Sequence, residues 1–390
     1  MVSGATRDRW QLYLAVLAVA CLPLGLIWDI SWHVSIGRDT FWAPAHIMIQ
    51  FGGVIPASLF ALRAFRTTFW GAPEDRIAAP SFWGARAPFG AWVTMWGALA
   101  MLTSAPFDDW WHNTYGLDVK IVSPPHAVLG LGMFAVALGV LLFVLSFQNR
   151  STFAERRIPA AFFLLAAGLL VTLIAVYSTE FTWPNQQHRS QFYGVMSLAF
   201  PFLLVMIATA SPLSWAATRA AAFYMGLMMF MIWLLPLFPA QPKLAPIYHP
   251  VDHMVPPPFP LLIVLPAFAL DWLIQRTRLK AASAIRGRSW RGFLRDWLQA
   301  AVLGIVFLAV TLAGQWFFAQ FLLSPAADNW FFAGNRHWPY YVLPGEWRHQ
   351  FWEVAKDPVT LKNLSLAAAI AAVSARVGMG CGRWMTRVQR

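Results

Sequence analysis

Apolar stretches about twenty residues long alternate with short polar ones along most of this chain. They fall at about 11–28, 44–65, 87–106, up to 147, 158–177, 194–210, 219–238, a stretch ending near 274, 297–323 and 359–377. Each is long enough to cross the ~30 Å hydrocarbon layer as a helix. The pattern predicts an all-α polytopic transmembrane bundle of ten spans. Residues 1–147 form a four-span region of two repeated hairpins, and 148–390 a six-span region of unknown role. Arg7 and Arg9 ahead of the first span, and the unbroken run to Trp28, favour an uncleaved anchor over a cleaved leader.

Polar residues at the ends of the early spans repeat a pattern. Asp29, His33 and His46 follow D-x3-H-x12-H, and Asp108, His112 and His126 follow D-x3-H-x13-H. Each set opens at the end of one apolar run and closes at the start of the next. Asp29 and His33, like Asp108 and His112, are four apart and share a helix face. A Trp precedes the first His in both (Trp32, Trp111), a Gly follows it by four (Gly37, Gly116), and an Asp stands two further on (Asp39, Asp118). This is the signature of an internal duplication. A carboxylate and two imidazoles suit copper, zinc or iron and not calcium or magnesium. A charge at the edge of an apolar span also needs a partner, and Arg38 is the competitor to a metal for Asp29 or Asp39.

Composition agrees. The chain is 58% hydrophobic and 12% charged, against about 25% charged in soluble domains. The net charge is +12, but the basic residues sit in short loops, which fits a positive-inside bias and not nucleic-acid binding. Ten spans place 21 Lys and Arg on the side of the termini and 8 on the other, so the termini are expected in the cytoplasm. All nine histidines then lie on the outer face, with eleven of the 17 acids. The two cysteines, Cys21 and Cys381, fall at different depths, which argues against a disulfide or a thiolate metal cage. The expected place is the inner membrane of a bacterium, the bilayer is the expected partner, and an oligomer or partner membrane subunits are possible.

Other polar groups carry less. His249 and His253 repeat the four-residue spacing beside Asp252, but Pro250 intervenes, so they are weaker candidate ligands. His188 with Glu180, and His337 with His349, read as interfacial polar residues. Asp271 reads as an ion-pair partner of Arg276. The Pro-rich stretch at 250–260 reads as a stiff connector, and Trp28, Trp32, Trp42, Trp110 and Trp111 as an interfacial aromatic belt.

The first motif resembles the C subunit of the copper membrane monooxygenases, the particulate methane and ammonia monooxygenase family. The resemblance rests on Asp29-Ile30-Ser31-Trp32-His33, Arg38-Asp39-Thr40 and His46-Ile47, and covers about residues 10–147. It implies that Asp29, His33 and His46 ligate copper. It also implies a neighbouring copper site at Asp108 and His112, with His126 in support. Asp108 stands where the family has Asn. The implied activity is oxygenation of a small apolar substrate at the outer face, with the metal residues as the catalytic ones. Two alternatives stand beside it: an intramembrane zinc hydrolase with Asp109 or Asp118 as base, and a non-enzymatic copper or zinc acquisition protein.

Overall fold

The computed structural model describes residues 9–37, 40, 42–115, 123–152, 155–277, 290–342, 350–351 and 357–389; for Arg9, Glu74, Asp75, Ala78 and His112 it describes the backbone alone. Arg38, Asp39, Asp118 and His349 lie outside the described residues, as does the side chain of His112. Most of the described chain is helical, with one two-stranded antiparallel hairpin. Eight helical stretches are long and apolar enough to cross a membrane: Trp10–Ser35, Pro44–Trp70, Pro124–Arg150, Arg157–Tyr177, Ser190–Ala210, Ala216–Leu237, Trp290–Leu322 and Leu361–Met385. This is an all-α helical membrane protein.

The other two expected spans are also helical, but differently built. One is a 27-residue helix, Phe89–Tyr115, diluted by Trp92, Trp96, Trp110, Trp111, Asp108 and Asp109. The other is the 13-residue helix Val264–Arg276, only about 20 Å long and too short to cross alone.

The chain forms two compact units. The first comprises Met1–Asp29, Asp39–Tyr177 and Met385–Arg390. It contains α1 (Arg9–Val19), most of α2 (Cys21–Ser35), α3 (Pro44–Trp70), α4 (Pro73–Ala78), the strands β1 (Ser81–Phe82) and β2 (Ala85–Arg86), α5 (Phe89–Tyr115), α6 (Pro124–Arg150) and α7 (Arg157–Tyr177). Helices α2 and α3 form one antiparallel hairpin, and α5 and α6 another. In each, glycine allows the two backbones to touch. A Cβ on Gly25 of α2 would lie 2.9 Å from the Ile49 amide nitrogen of α3. One on Gly97 of α5 would lie 2.7 Å from the Gly132 carbonyl oxygen of α6. With lipid as apolar as leucine, such small-residue contacts are what draws membrane helices together.

The second unit comprises Ile30–Arg38 and Ser178–Trp384. It holds the last turns of α2, α8 (Thr179–Thr182), α9 (Ser190–Ala210), α10 (Ala216–Leu234), α11 (Val264–Arg276), α12 (Trp290–Leu322) and α13 (Leu361–Met385). The Pro-rich stretch, expected as a stiff connector, runs through the interior of this unit. Met254, Val255, Pro256, Pro258, Phe259, Pro260 and Leu261 are buried in irregular, non-helical backbone, and the chain then turns at the buried Ile263 into α11. Non-helical backbone in an apolar interior leaves donors unsatisfied. The prolines have no N–H, and buried side chains take up others: Val255 N–H donates to Ser35 Oγ (2.7 Å), Leu261 N–H to the Tyr224 hydroxyl (3.0 Å) and Leu262 N–H to Gln315 Oε1 (2.9 Å). Gln315 in turn donates to Gln187 Oε1 at 2.7 Å.

Gln315 is 2% exposed, so Gln315→Leu would strand the Leu262 amide. That change is expected to cost about 1–3 kcal/mol, read as a lower unfolding midpoint in detergent. Asp271 is used differently from the sequence expectation: its Oδ2 accepts from the amide (2.8 Å) and hydroxyl (2.7 Å) of Thr218 in the first turn of α10. Arg276 lies over the Trp272 ring.

Candidate metal centre

The first acid–imidazole set stands where α2 hands over to α3. Asp29 and His33 are one turn apart on α2. The helix ends because Gly37, at φ +88°, takes a left-handed conformation and sends its N–H back to the Trp32 carbonyl oxygen (3.2 Å). A Cβ on Gly37 would also strike the Tyr340 hydroxyl at 2.2 Å. Pro44 opens α3, its fixed φ suited to a first helical position, and His46 follows in the first turn. The Gly25 crossing sets α2 against α3 one turn below Asp29, so Asp29 faces His46: Oδ1 and Nε2 are 3.0 Å apart.

One donor atom from each of Asp29, His33 and His46 lies within 4.8 Å of the other two. All three residues are half-buried. This is the one such group among the described residues. Donors at ~2.1 Å from a tetrahedral ion are about 3.4 Å apart. The Asp29–His46 pair at 3.0 Å is close to that, and a donor of His33 lies within 4.8 Å of both. Two imidazoles and a carboxylate leave room for a fourth ligand from outside, the donor count of an open transition-metal site.

The C-terminal end of α2 is clamped from its other face. Ser31 and Ser35 lie opposite Asp29 and His33. Ser31 donates to the Val255 carbonyl oxygen (2.6 Å), and Ser35 accepts from the Val255 amide. Lys243 N–H reaches the Ile36 carbonyl (2.8 Å), and Tyr340 N–H the Val34 carbonyl (3.2 Å). The buried Pro-rich segment therefore fixes the helix turn that carries His33. These serines were readable as an i, i+4 pair, but nothing local says what they hold.

At the second hairpin the same contact recurs. Ser123, Pro124 and Pro125 lead into α6, His126 stands in its first turn, and its Nε2 lies 3.5 Å from Asp108 Oδ1 near the end of α5. Both side chains are about 30% exposed. Tyr177, the last residue of α7, closes over Gly130 one turn from His126, where a Cβ would sit 2.6 Å from its hydroxyl. Phe107, Trp110, Trp111 and Tyr115 form an aromatic rim beside Asp108, with Trp110 53% exposed.

The remaining histidines are placed otherwise. Residues 249–253 are not helical, so the four-residue spacing does not align the rings of His249 and His253. His253 Nδ1 meets Asp252 Oδ1 at 2.6 Å, and the His249 amide donates to the Tyr340 carbonyl. Asp252 is exposed, and its hydrogen bond with His253 holds its carboxyl below the usual range.

His188 and His337 are buried within the protein, at 6% and 2% exposure. His188 is sandwiched between Trp316 and Phe351, each ring centroid 3.6 Å away, and its Nε2 is 2.9 Å from the Trp316 carbonyl oxygen. Burial lowers its pKa despite that bond. The sign follows: the unfolded chain binds the proton more readily, so the neutral ring's contribution is present above the unfolded imidazole pKa of ~6.5 and is lost as pH falls below it. A lower unfolding midpoint at pH 5.5 than at 7.5 is expected, with the difference reduced in His188→Phe.

No family model, curated protein or solved structure matches this chain. Fold and site define its class: a helical integral membrane protein with an acid–imidazole triad fit for a metal ion.

Proposed function

We propose that this chain is a membrane copper-binding protein related to the C subunit of the copper membrane monooxygenases, oxygenating a small apolar substrate at the outer membrane face. The observation that carries the reading is the convergence of Asp29, His33 and His46 within 4.8 Å at the junction of α2 and α3. The recurrence of a carboxylate–imidazole contact at Asp108 and His126 supports it, as does the sequence resemblance over residues 10–147.

Bound copper would supply redox chemistry toward dioxygen. The protein's part is positional. Asp29 offsets charge at an apolar boundary and holds His46 through one oxygen. His33 is held in place by the Ser31–Ser35–Val255 clamp. Trp28, Trp32 and Trp42 flank the site, where an apolar substrate can arrive from the bilayer.

The test is metal analysis of protein purified without chelating tags. At least one copper per chain, and copper-dependent dioxygen uptake with an added reductant, are expected. One zinc and no copper would favour the hydrolytic alternative; copper without uptake would leave a binding or acquisition role; a metal-free protein that takes up neither ion would end the proposal.

A further inference from the structure

A second feature lies at the far end of the same helices. Helix α3 runs from His46 to Trp70 and α5 from Phe89 to the Asp108 end, so the connection between them sits opposite the metal motifs. It is a built element: the short helix α4, then the β1–β2 hairpin, with Ser81 paired to Arg86 and Phe82 to Ala85. The turn is Trp83-Gly84, both at positive φ (48° and 83°). Gly84 adopts that conformation without strain, whereas an aromatic residue there is disfavoured. The indole stands at the tip, where Trp83 is 87% exposed.

Behind the tip stand more rings. Phe82 packs on Trp92 and Trp96 at 5.7 and 5.6 Å, and Trp83 on Trp96 at 5.7 Å. The end of α3 adds Phe69 and Trp70, 62% and 73% exposed. Cations accompany them: Arg66 and Arg76 are exposed, and Arg86, half-buried, donates to the Arg76 carbonyl oxygen (2.7 Å). The Trp92 indole donates to the Pro80 carbonyl oxygen (3.2 Å) and ties the hairpin to α5. A rigid, strained aromatic tip flanked by arginines, at the ends of two bilayer-length helices, matches the headgroup layer, where indoles settle and guanidinium groups meet phosphates.

We propose that α4 and the β1–β2 hairpin form an interfacial anchor: Trp83 and Phe82 enter the glycerol–headgroup layer, and Arg66 and Arg76 recruit anionic phospholipid there. This is independent of what the metal site does.

The full chain, with Cys21→Ser and Cys381→Ser, would carry Trp83→Cys labelled with an environment-sensitive fluorophore, in nanodiscs of phosphatidylcholine or of a phosphatidylglycerol mixture. Strong quenching by headgroup-region nitroxide lipids and weak quenching by aqueous iodide are expected. The reverse pattern, a dye open to iodide and untouched by lipid nitroxides, overturns the anchor. For the charge, Arg66→Gln/Arg76→Gln is expected to lower co-purified phosphatidylglycerol at least twofold against phosphatidylethanolamine. An unchanged ratio overturns anionic recruitment, and a correct circular dichroism spectrum separates that outcome from misfolding.

Discussion

His33→Ala and His46→Ala are each expected, on the proposed copper-binding reading, to lose metal at the first hairpin, with affinity falling by more than the ~100-fold seen when only a supporting residue is removed. Each is one of three donors gathered within 4.8 Å, and two donors hold a transition ion far less well than three. Asp29→Asn is the sharper probe. It keeps the shape and an acceptor oxygen, but removes the charge that offsets the cation in a partly apolar setting. Metal content and competitive titration at pH 7.5 measure the loss. Because protons compete with the metal for imidazole, wild-type affinity should also fall as the pH is lowered. Helical circular dichroism should remain, since these residues sit at helix ends and not in the packed crossings. If all three variants hold as much metal as the wild type, the ion is bound elsewhere.

Gly97→Val is expected to be strongly damaging to the first unit. The added carbons enter a place where the backbones of α5 and α6 touch: an ideal Cβ lies 2.7 Å from the Gly132 oxygen, 2.7 Å from the Val136 nitrogen and 2.8 Å from the Ala135 Cβ. Two of these are main-chain atoms that no rotamer can move aside. The helices must separate, and overpacking of this kind costs about 1–3 kcal/mol or more. Asp108 and His126 depend on the same crossing, so the 3.5 Å contact is expected to open as stability falls. Gly194→Ala is the control. Nothing lies within 4 Å of its added Cβ, and alanine favours the helix, so its unfolding midpoint should match or exceed the wild type. Thermal unfolding in detergent reads both.

The surroundings of His188 and His337 were not legible in the sequence, although both lie between apolar runs as expected. Polar residues between apolar runs are placed at a boundary by default. Yet His188 is enclosed by Trp316 and Phe351, residues 128 and more positions away. Only the path of α12 and of the chain after it brings those rings together.

By itself the sequence determined the class of protein and the helix face that Asp29 and His33 share. Lengths of apolar run are set by bilayer thickness, and helical periodicity alone puts Asp29 and His33 on one face; both are local properties of the chain. That His46 meets Asp29 required the tertiary structure, because it depends on how closely two helices approach at Gly25. The buried Pro-rich crossing was likewise invisible. Its amides are satisfied by Ser35, Tyr224 and Gln315, from three separate helices, and no local pattern reveals a hydrogen-bond partner that distant in sequence.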